Sequence, residues 1–374
     1  MKQNQILKIY GTDYKEMTKR LLEEADLHAR LPEKDKCIGI KPNLVAPTPA
    51  DCGATTHPEI VAGIIEYLQE RGYHNIMLTE GSWVGDKTSE SIEVCGYDRL
   101  IETYGVAFRD AQKEQGFEKD CEGLMLNLCQ CVQEIDFLIN VPVLKGHCQT
   151  KITCALKNVK GLIPNKEKRR FHALGLHKPI AHLNAGLHQD FVVVDHICGD
   201  LDFEDGGNPV VRNCIMAACD PVLVDAYVCS LLHYEIDDVP YIRLAEQLGV
   251  GSADLEQAEI YECVRNEKLE WKCVSKTEQP LPKSRKVVEL CDAVEEVESC
   301  SACYGYLIPV LERLKDEGLL EKLDTRICIG QGYQGRTGRL GIGRCTSDFE
   351  CNLKGCPPTD NQIYEFLRDY LNKM

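Results

Sequence analysis

The feature that most constrains this chain is an alternation repeated along its first two-thirds. Short apolar runs at 37–41, 76–79, 137–140, 191–195 and 214–218 have strand length. Between and around them, residues 13–29, 57–68, 97–104, 151–160 and 220–232 carry helix-length patterns. Strands separated by helices imply βαβ units, because a parallel neighbour is reached only by a crossover. The expected fold is therefore α/β, with a mainly parallel, Rossmann-like sheet body and a smaller C-terminal Cys-rich module. The pattern breaks at Glu259-Ile-Tyr-Glu-Cys-Val and Leu269-Glu-Trp-Lys-Cys-Val, which alternate like a strand pair, and Gln279-Pro-Leu-Pro-Lys-Ser reads as a linker. The expected organisation is a body at 1–258, a strand pair and linker at 259–286, and a cysteine-rich module at 287–374.

Charge narrows the partners. With 43 Lys+Arg against 59 Asp+Glu, the chain carries a formal −16, which disfavours nucleic acid and anionic membrane surfaces. No apolar run approaches the ~18 residues of a membrane span, and the N-terminal residues lack the apolar core of a signal peptide. The 21 cysteines are odd in number and scattered through apolar segments of a long chain. They read as reduced thiols of a cytoplasmic protein, in a low-oxygen organism, with a few engaged in metal chemistry.

In a sheet of this kind, chemistry gathers beyond the carboxyl ends of the strands. Those positions hold Lys41-Pro-Asn43-Leu, Glu80-Gly-Ser-Trp83, Asn140-Val-Pro-Val-Leu-Lys145-Gly-His147, Asp195 and Asp220-Pro-Val-Leu-Val-Asp225. Residues 145–170 add Lys151, Lys157, Lys160, Lys166, Lys168, Arg169 and Arg170, with Glu167 the only acid. Positive charge concentrated on an acidic chain suggests a pocket for a small anionic group, phosphate or carboxylate; a solvated helix face is the competing reading. Lys145 and Lys157 sit in apolar contexts, so each either snorkels or points into a site.

These blocks, with Thr55-Thr-His-Pro-Glu59 and Leu156-Lys-Asn-Val-Lys-Gly161, resemble the prokaryotic family known as domain of unknown function 362, over roughly residues 36–250. The resemblance implies a pocket and a frequent association with iron–sulfur clusters, but no reaction. The expected pocket residues are Lys41, Asn43, Lys157, Asn158 and Lys160 for binding, with Lys145 and His147 as catalytic candidates. His147, flanked by Lys145 and Lys151, is expected to be neutral and to act as a base; the alternative is a hydrogen-bonded structural histidine. His172, His177, His182 and His188 do not share a helical face. Gly206-Gly-Asn-Pro209 reads as a tight turn.

Seven cysteines fall within 291–374, and glycines crowd 330–343. A Cys-x-x-Cys turn and cysteines beside glycine or proline project sulfur toward a cluster while exposing backbone N–H groups. Cys300-Ser-Ala-Cys303, then Gly343-Arg-Cys345, then Gly355-Cys-Pro-Pro before a helix resembles the proximal-cluster pattern of nickel–iron hydrogenase small subunits. On that resemblance Cys300, Cys303, Cys345 and Cys356 hold a 4Fe-4S cluster, with Cys351 an alternative to Cys345. A structural zinc on the same thiolates, a Cys300–Cys303 redox disulfide, and idle buried thiols remain open. Cys328, Cys129 and Cys131 read as packing residues. The leading expectation is an iron–sulfur oxidoreductase or electron-transfer protein acting on a small anionic substrate, with a redox partner protein. The alternatives are a lyase or isomerase using the cluster as Lewis acid, or a non-enzymatic cluster or zinc module. No dinucleotide-binding glycine motif is present.

Overall fold

The computed structural model describes residues 1–265, 271–275, 281 and 286–373. The linker expected at 279–284 lies outside them, except for Leu281. The chain forms two compact units: one of residues 1–82, 86–168 and 177–283, the other of residues 83–85, 169–176 and 284–374.

The larger unit is built on a nine-stranded sheet in the order Trp271–Ser275, Glu259–Arg265, Gln5–Tyr10, Pro209–Ala218, Phe191–Asp200, Phe137–Val141, Ile38–Pro42, Ile76–Glu80, Ala107–Asp110. From Phe191–Asp200 to the Ala107–Asp110 edge every pairing is parallel; the other half contains antiparallel pairs. The α/β, mainly parallel expectation therefore describes the fold.

Three details differ from the sequence reading. Gln5–Tyr10 is an interior strand that the pattern left unassigned, because Lys8 interrupts its apolar run; Lys8 is buried and its Nζ meets the Tyr227 hydroxyl at 3.1 Å. Residues 151–160 are not one helix: Lys151–Thr153 pairs with Lys145–His147 as a hairpin before a single turn, Ala155–Asn158. Finally, Pro209–Ala218 is twice as long as the run that announced it.

Pleating decides which residues face the site. Ile38 and Ile40, Ile76 and Leu78, Ile139 and Val141, and Ile215 and Ala217 lie in one buried cluster with helices Tyr14–Glu24 and Pro58–Glu70. Each isoleucine, leucine or valine among them contributes about 1.5–3 kcal/mol by leaving water. The two-residue period sends Lys41 and Asn140 to the opposite face, where they are register partners.

The second unit carries a four-stranded, all-parallel sheet: Val294–Glu296, Ile327–Ile329, Leu340–Ile342, Cys351–Leu353. Helix Ser301–Asp316 begins directly after Cys300, six residues before its expected start, and Asp360–Leu371 follows a capping box of Thr359 and Gln362. Leu307, Leu311, Ile327, Ile329, Leu340, Ile342, Ile363 and Leu367 are fully buried. Among the described residues, no helix is long and apolar enough to cross a membrane.

Candidate functional site

Lys41 ends its strand fully buried, and its ammonium is met by protein on every side. Nζ donates to Glu80 Oε2 at 2.8 Å, to Pro42 O at 3.0 Å and to Asn158 Oδ1 at 3.3 Å. Burial lowers its pKa from the ordinary lysine value, and Glu80 opposes that fall. Asn158 Nδ2 continues to Asn140 Oδ1 at 2.7 Å, and Asn140 Nδ2 to Gln189 Oε1 at 2.6 Å. A buried polar network this fully satisfied rigidifies its surroundings. It explains the glycine that ends Leu-Lys-Asn-Val-Lys-Gly: a Cβ at Gly161 would stand 1.9 Å from Glu80 Oε1. Asn43 is buried too, its N–H on Thr56 Oγ1 at 2.8 Å and its own side chain accepting from Val45 N at 3.3 Å.

Lys145 and His147 stand on a hairpin strand pressed against residues 199–202. A Cβ at Gly146 would meet Leu201 O at 2.2 Å, so only glycine fits between them. Lys145 Nζ donates to Ala54 O and to Glu204 O. Burial pushes its pKa down to about 8, against the opposing charges of Glu204, Asp205 and Asp200. His147 Nδ1 accepts the N–H groups of Gln149 and Thr150 at 3.0 and 3.2 Å. That nitrogen therefore carries no proton, leaving Nε2 as the protonated one, 3.3 Å from Glu204 Oε1. Glu204 Oε2 also takes the Cys148 N–H at 3.1 Å. The acids around these cations come from residues 200–205, which a local charge count over 145–170 does not see. Burial and Glu204 push Asp205 up to about 8.

Lys157 is placed differently. The residue is half-buried, yet its amine end is enclosed enough that burial pushes its pKa down to about 7, Lys145 adding to the fall and Glu204 opposing it. Its Nζ donates to Thr153 Oγ1 at 3.2 Å, which leaves donors for a ligand. Lys160 is half-buried nearby in sequence. Lys168 is committed elsewhere: its Nζ binds Gly81 O and Ser82 O, both at 2.8 Å, and burial pushes it down to about 8. Asp225 caps the Ala155–Asn158 turn through the N–H groups of Ala155 and Leu156, at 2.7 and 3.2 Å.

One constellation was missed by spacing alone. His57, Asp195 and Cys198 lie together, although the sequence blocks holding the first two lie far apart and Cys198 belongs to neither. His57 Nδ1 is 2.8 Å from Asp195 Oδ2, and His57 Nε2 is 3.8 Å from Cys198 Sγ. A strand-end acid and a histidine before a helix proline were the only available signals.

In the second unit the sheet aligns the sulfurs. Cys300 follows the strand Val294–Glu296, Cys345 follows Leu340–Ile342, and Cys356 follows Cys351–Leu353, so parallel pairing brings all three loops to one edge. The loops are laced together: Gly343 N donates to Leu353 O and Arg344 N to Gly355 O, both at 2.8 Å. Cys303, one turn into its helix, is pushed up to about 12 by burial and then by the charges of Cys300, Cys356 and Cys345. Gln331 Nε2 stands 3.8 Å from Cys300 Sγ and Gln334 Nε2 3.7 Å from Cys345 Sγ. Cys351 opens its strand at the opposite end of the sheet. Among the described residues, no group of three or more His, Cys, Asp or Glu is arranged to hold a single metal ion. A shared inorganic centre fits this donor set in chemical type, because the charges of Cys300, Cys356 and Cys345 that oppose ionisation of Cys303 would be relieved by a bound cation.

The family described as domain of unknown function (DUF362) matches residues 38–230, just over half of the chain. The chain belongs to this family. Lys41, Glu80, Lys145, His147, Lys157 and Asn158 all fall inside the DUF362 match, which is narrower at both ends than the 36–250 expected. The thylakoid-associated protein sll1697 of Synechocystis is 24% identical over 232 residues, 58% of this chain and 69% of that protein. Among solved structures, the lactate racemase apoprotein of Thermoanaerobacterium thermosaccharolyticum aligns with TM-score 0.40 and 14% identity, over 60% of this chain and 56% of that one. A Thermotoga maritima protein from structural genomics aligns with TM-score 0.35 and 13% identity, over 64% and 59%. The DUF362 chain thus spans less than two-thirds of either solved structure.

Proposed function

We propose that this DUF362 protein is an iron–sulfur oxidoreductase or electron-transfer protein of the cytoplasm, acting on a small anionic substrate. The observation that carries the reading is Cys303 lying in the combined field of Cys300, Cys345 and Cys356, on loops that leave one end of a parallel sheet. Cys300, Cys303, Cys345 and Cys356 would hold a 4Fe-4S cluster, in the manner the hydrogenase-like spacing suggests. When bound, such a cluster accepts or supplies one electron. Gln331 and Gln334 would donate N–H groups to the sulfurs of Cys300 and Cys345. In the body, Lys157 would hold the anion with Lys160 beside it, and His147 would keep a proton at Nε2 against Glu204. The acidic chain suits a redox partner with a basic docking face.

Anaerobic purification followed by iron, sulfide and zinc analysis tests the reading. Roughly four irons and four sulfides per chain, with a reducible spectrum, are expected. Stoichiometric zinc in place of iron would remove the redox role. A cluster spectrum that shifts when small carboxylic acids or alcohols are added would point instead to an open iron acting as a Lewis acid, and hence to a lyase or isomerase.

A further inference from the structure

Cys198 does more than fill space. Its Sγ donates to Ala50 O at 3.5 Å and lies 3.8 Å from His57 Nε2. The other ring nitrogen of His57 is 2.8 Å from Asp195 Oδ2, which also receives the His57 backbone N–H at 2.8 Å. Carboxylate, imidazole and thiol thus stand in the order by which an acid orients an imidazole toward a nucleophile. Burial lowers the pKa of His57, but the charge and hydrogen bond of Asp195, with Cys198, overcome this and raise it to about 10. At neutral pH the ring therefore faces the sulfur as a cation, placed to hand a proton to a group leaving from it. The edge of the Tyr14 ring covers the imidazole at 5.5 Å.

A second thiol lies on a turn hydrogen-bonded to Cys198. Cys52 ends the turn Ala50–Cys52, the same turn whose Ala50 carbonyl receives the Cys198 S–H. The next residue is tied to the strand: Gly53 O accepts from Asp200 N at 3.1 Å. The charge of Cys198 reaches the Cys52 thiol. Cys52 is half-buried, whereas Cys198 is only 5% exposed, so any electrophile reaching Cys198 must be small.

We infer that Cys198 is a nucleophilic thiol served by His57 and Asp195, that it reacts with small hydroperoxides, and that Cys52 resolves the product as an intramolecular disulfide. In the first step the Cys198 thiol loses its proton to water, its sulfur bonds to the hydroxyl oxygen of the peroxide, and the O–O bond breaks. Sulfur loses two electrons and becomes a sulfenic acid, while the other oxygen takes a proton from His57 Nε2 and leaves as alcohol or water. In the second step the Cys52 sulfur attacks that sulfenic sulfur, the S–O bond breaks, and water departs with the Cys52 proton.

The test uses the full-length, anaerobically prepared protein, one equivalent of hydrogen peroxide and non-reducing peptide mapping. A Cys52–Cys198 cross-link is expected as the first product on the large unit. In C52S the reaction should stop at a Cys198 sulfenic acid that dimedone captures, and H57N should slow that capture roughly 100-fold. Should H57N fail to fold by circular dichroism, the C52S trapping arm decides alone. Oxidation of other large-unit cysteines while Cys198 stays reduced would overturn the inference, as would an unchanged capture rate in a folded H57N.

Discussion

The large unit and the cysteine-rich unit bury reactive groups in opposite ways. In the former, cations meet partners from distant segments: Lys41 with Glu80, Lys145 with the carbonyl of Glu204 and the acids around it, Lys168 with two carbonyls. In the latter, like groups converge, and every neighbouring cysteine that acts on Cys303 opposes its ionisation. A buried group with a satisfied partner is a structural statement; buried groups that repel one another ask for something further. On that contrast, Lys41 is a pillar of its surroundings, and the proposed inorganic centre would sit among the thiols.

The contrast breaks most directly at Cys303. C303S is expected to abolish bound iron, as is C356S, while C351S leaves iron and sulfide content unchanged; equal iron loss in all three would deny the sheet-edge arrangement. Next in size is E80Q. It strands the Lys41 ammonium in a buried site, so stability should fall by about 3–5 kcal/mol, measured by denaturant unfolding. A loss below about 1 kcal/mol, the range of exposed pairs, would show that the pair is hydrated.

Lys157 should respond as a binder rather than a pillar. K157M is expected to weaken binding of a small carboxylate or phosphate by roughly 10–100-fold, the worth of a charge-assisted hydrogen bond, with little change in stability. In the unaltered protein the same affinity should fall as pH rises through about 7, because Lys157 then loses its proton. Titration calorimetry across that range checks both. Stability carries the reverse sign. From about 8 toward the ordinary lysine value of 10.5, the unfolded chain binds protons that Lys145 and Lys168 have already released, so these two favour the folded state increasingly as pH rises. The smallest effect is expected from Q334A. It removes one N–H from the Cys345 sulfur, so iron content should hold while the midpoint potential moves slightly negative in protein-film voltammetry.

Much of this was legible in the residues. The alternation of strand and helix lengths gave the parallel half of the sheet, since it reports periodicity within single segments. It could not give Gln5–Tyr10, where a buried lysine breaks the apolar run, nor the strands Leu340–Ile342 and Cys351–Leu353, which are shorter than one reading window. The Lys-Gly-His and Leu-Lys-Asn-Val-Lys-Gly blocks marked residues that the fold buries. Their meaning lay in partners far along the chain: Glu80 for Lys41, residues 200–205 for Lys145 and His147. Spacing between cysteines likewise named a set, whereas sheet register separated Cys345 from Cys351.

The short parallel sheet beneath the sulfurs has one more consequence. Its ladders and apolar filling are made of ordinary backbone and hydrocarbon, so the thiol-bearing loops inherit their positions from hydrogen-bonded strands instead of from an inorganic core. On the proposed reading, a chain without iron should keep an open receptacle of nearly the right shape, and filling it would demand diffusion of the components rather than a new round of folding.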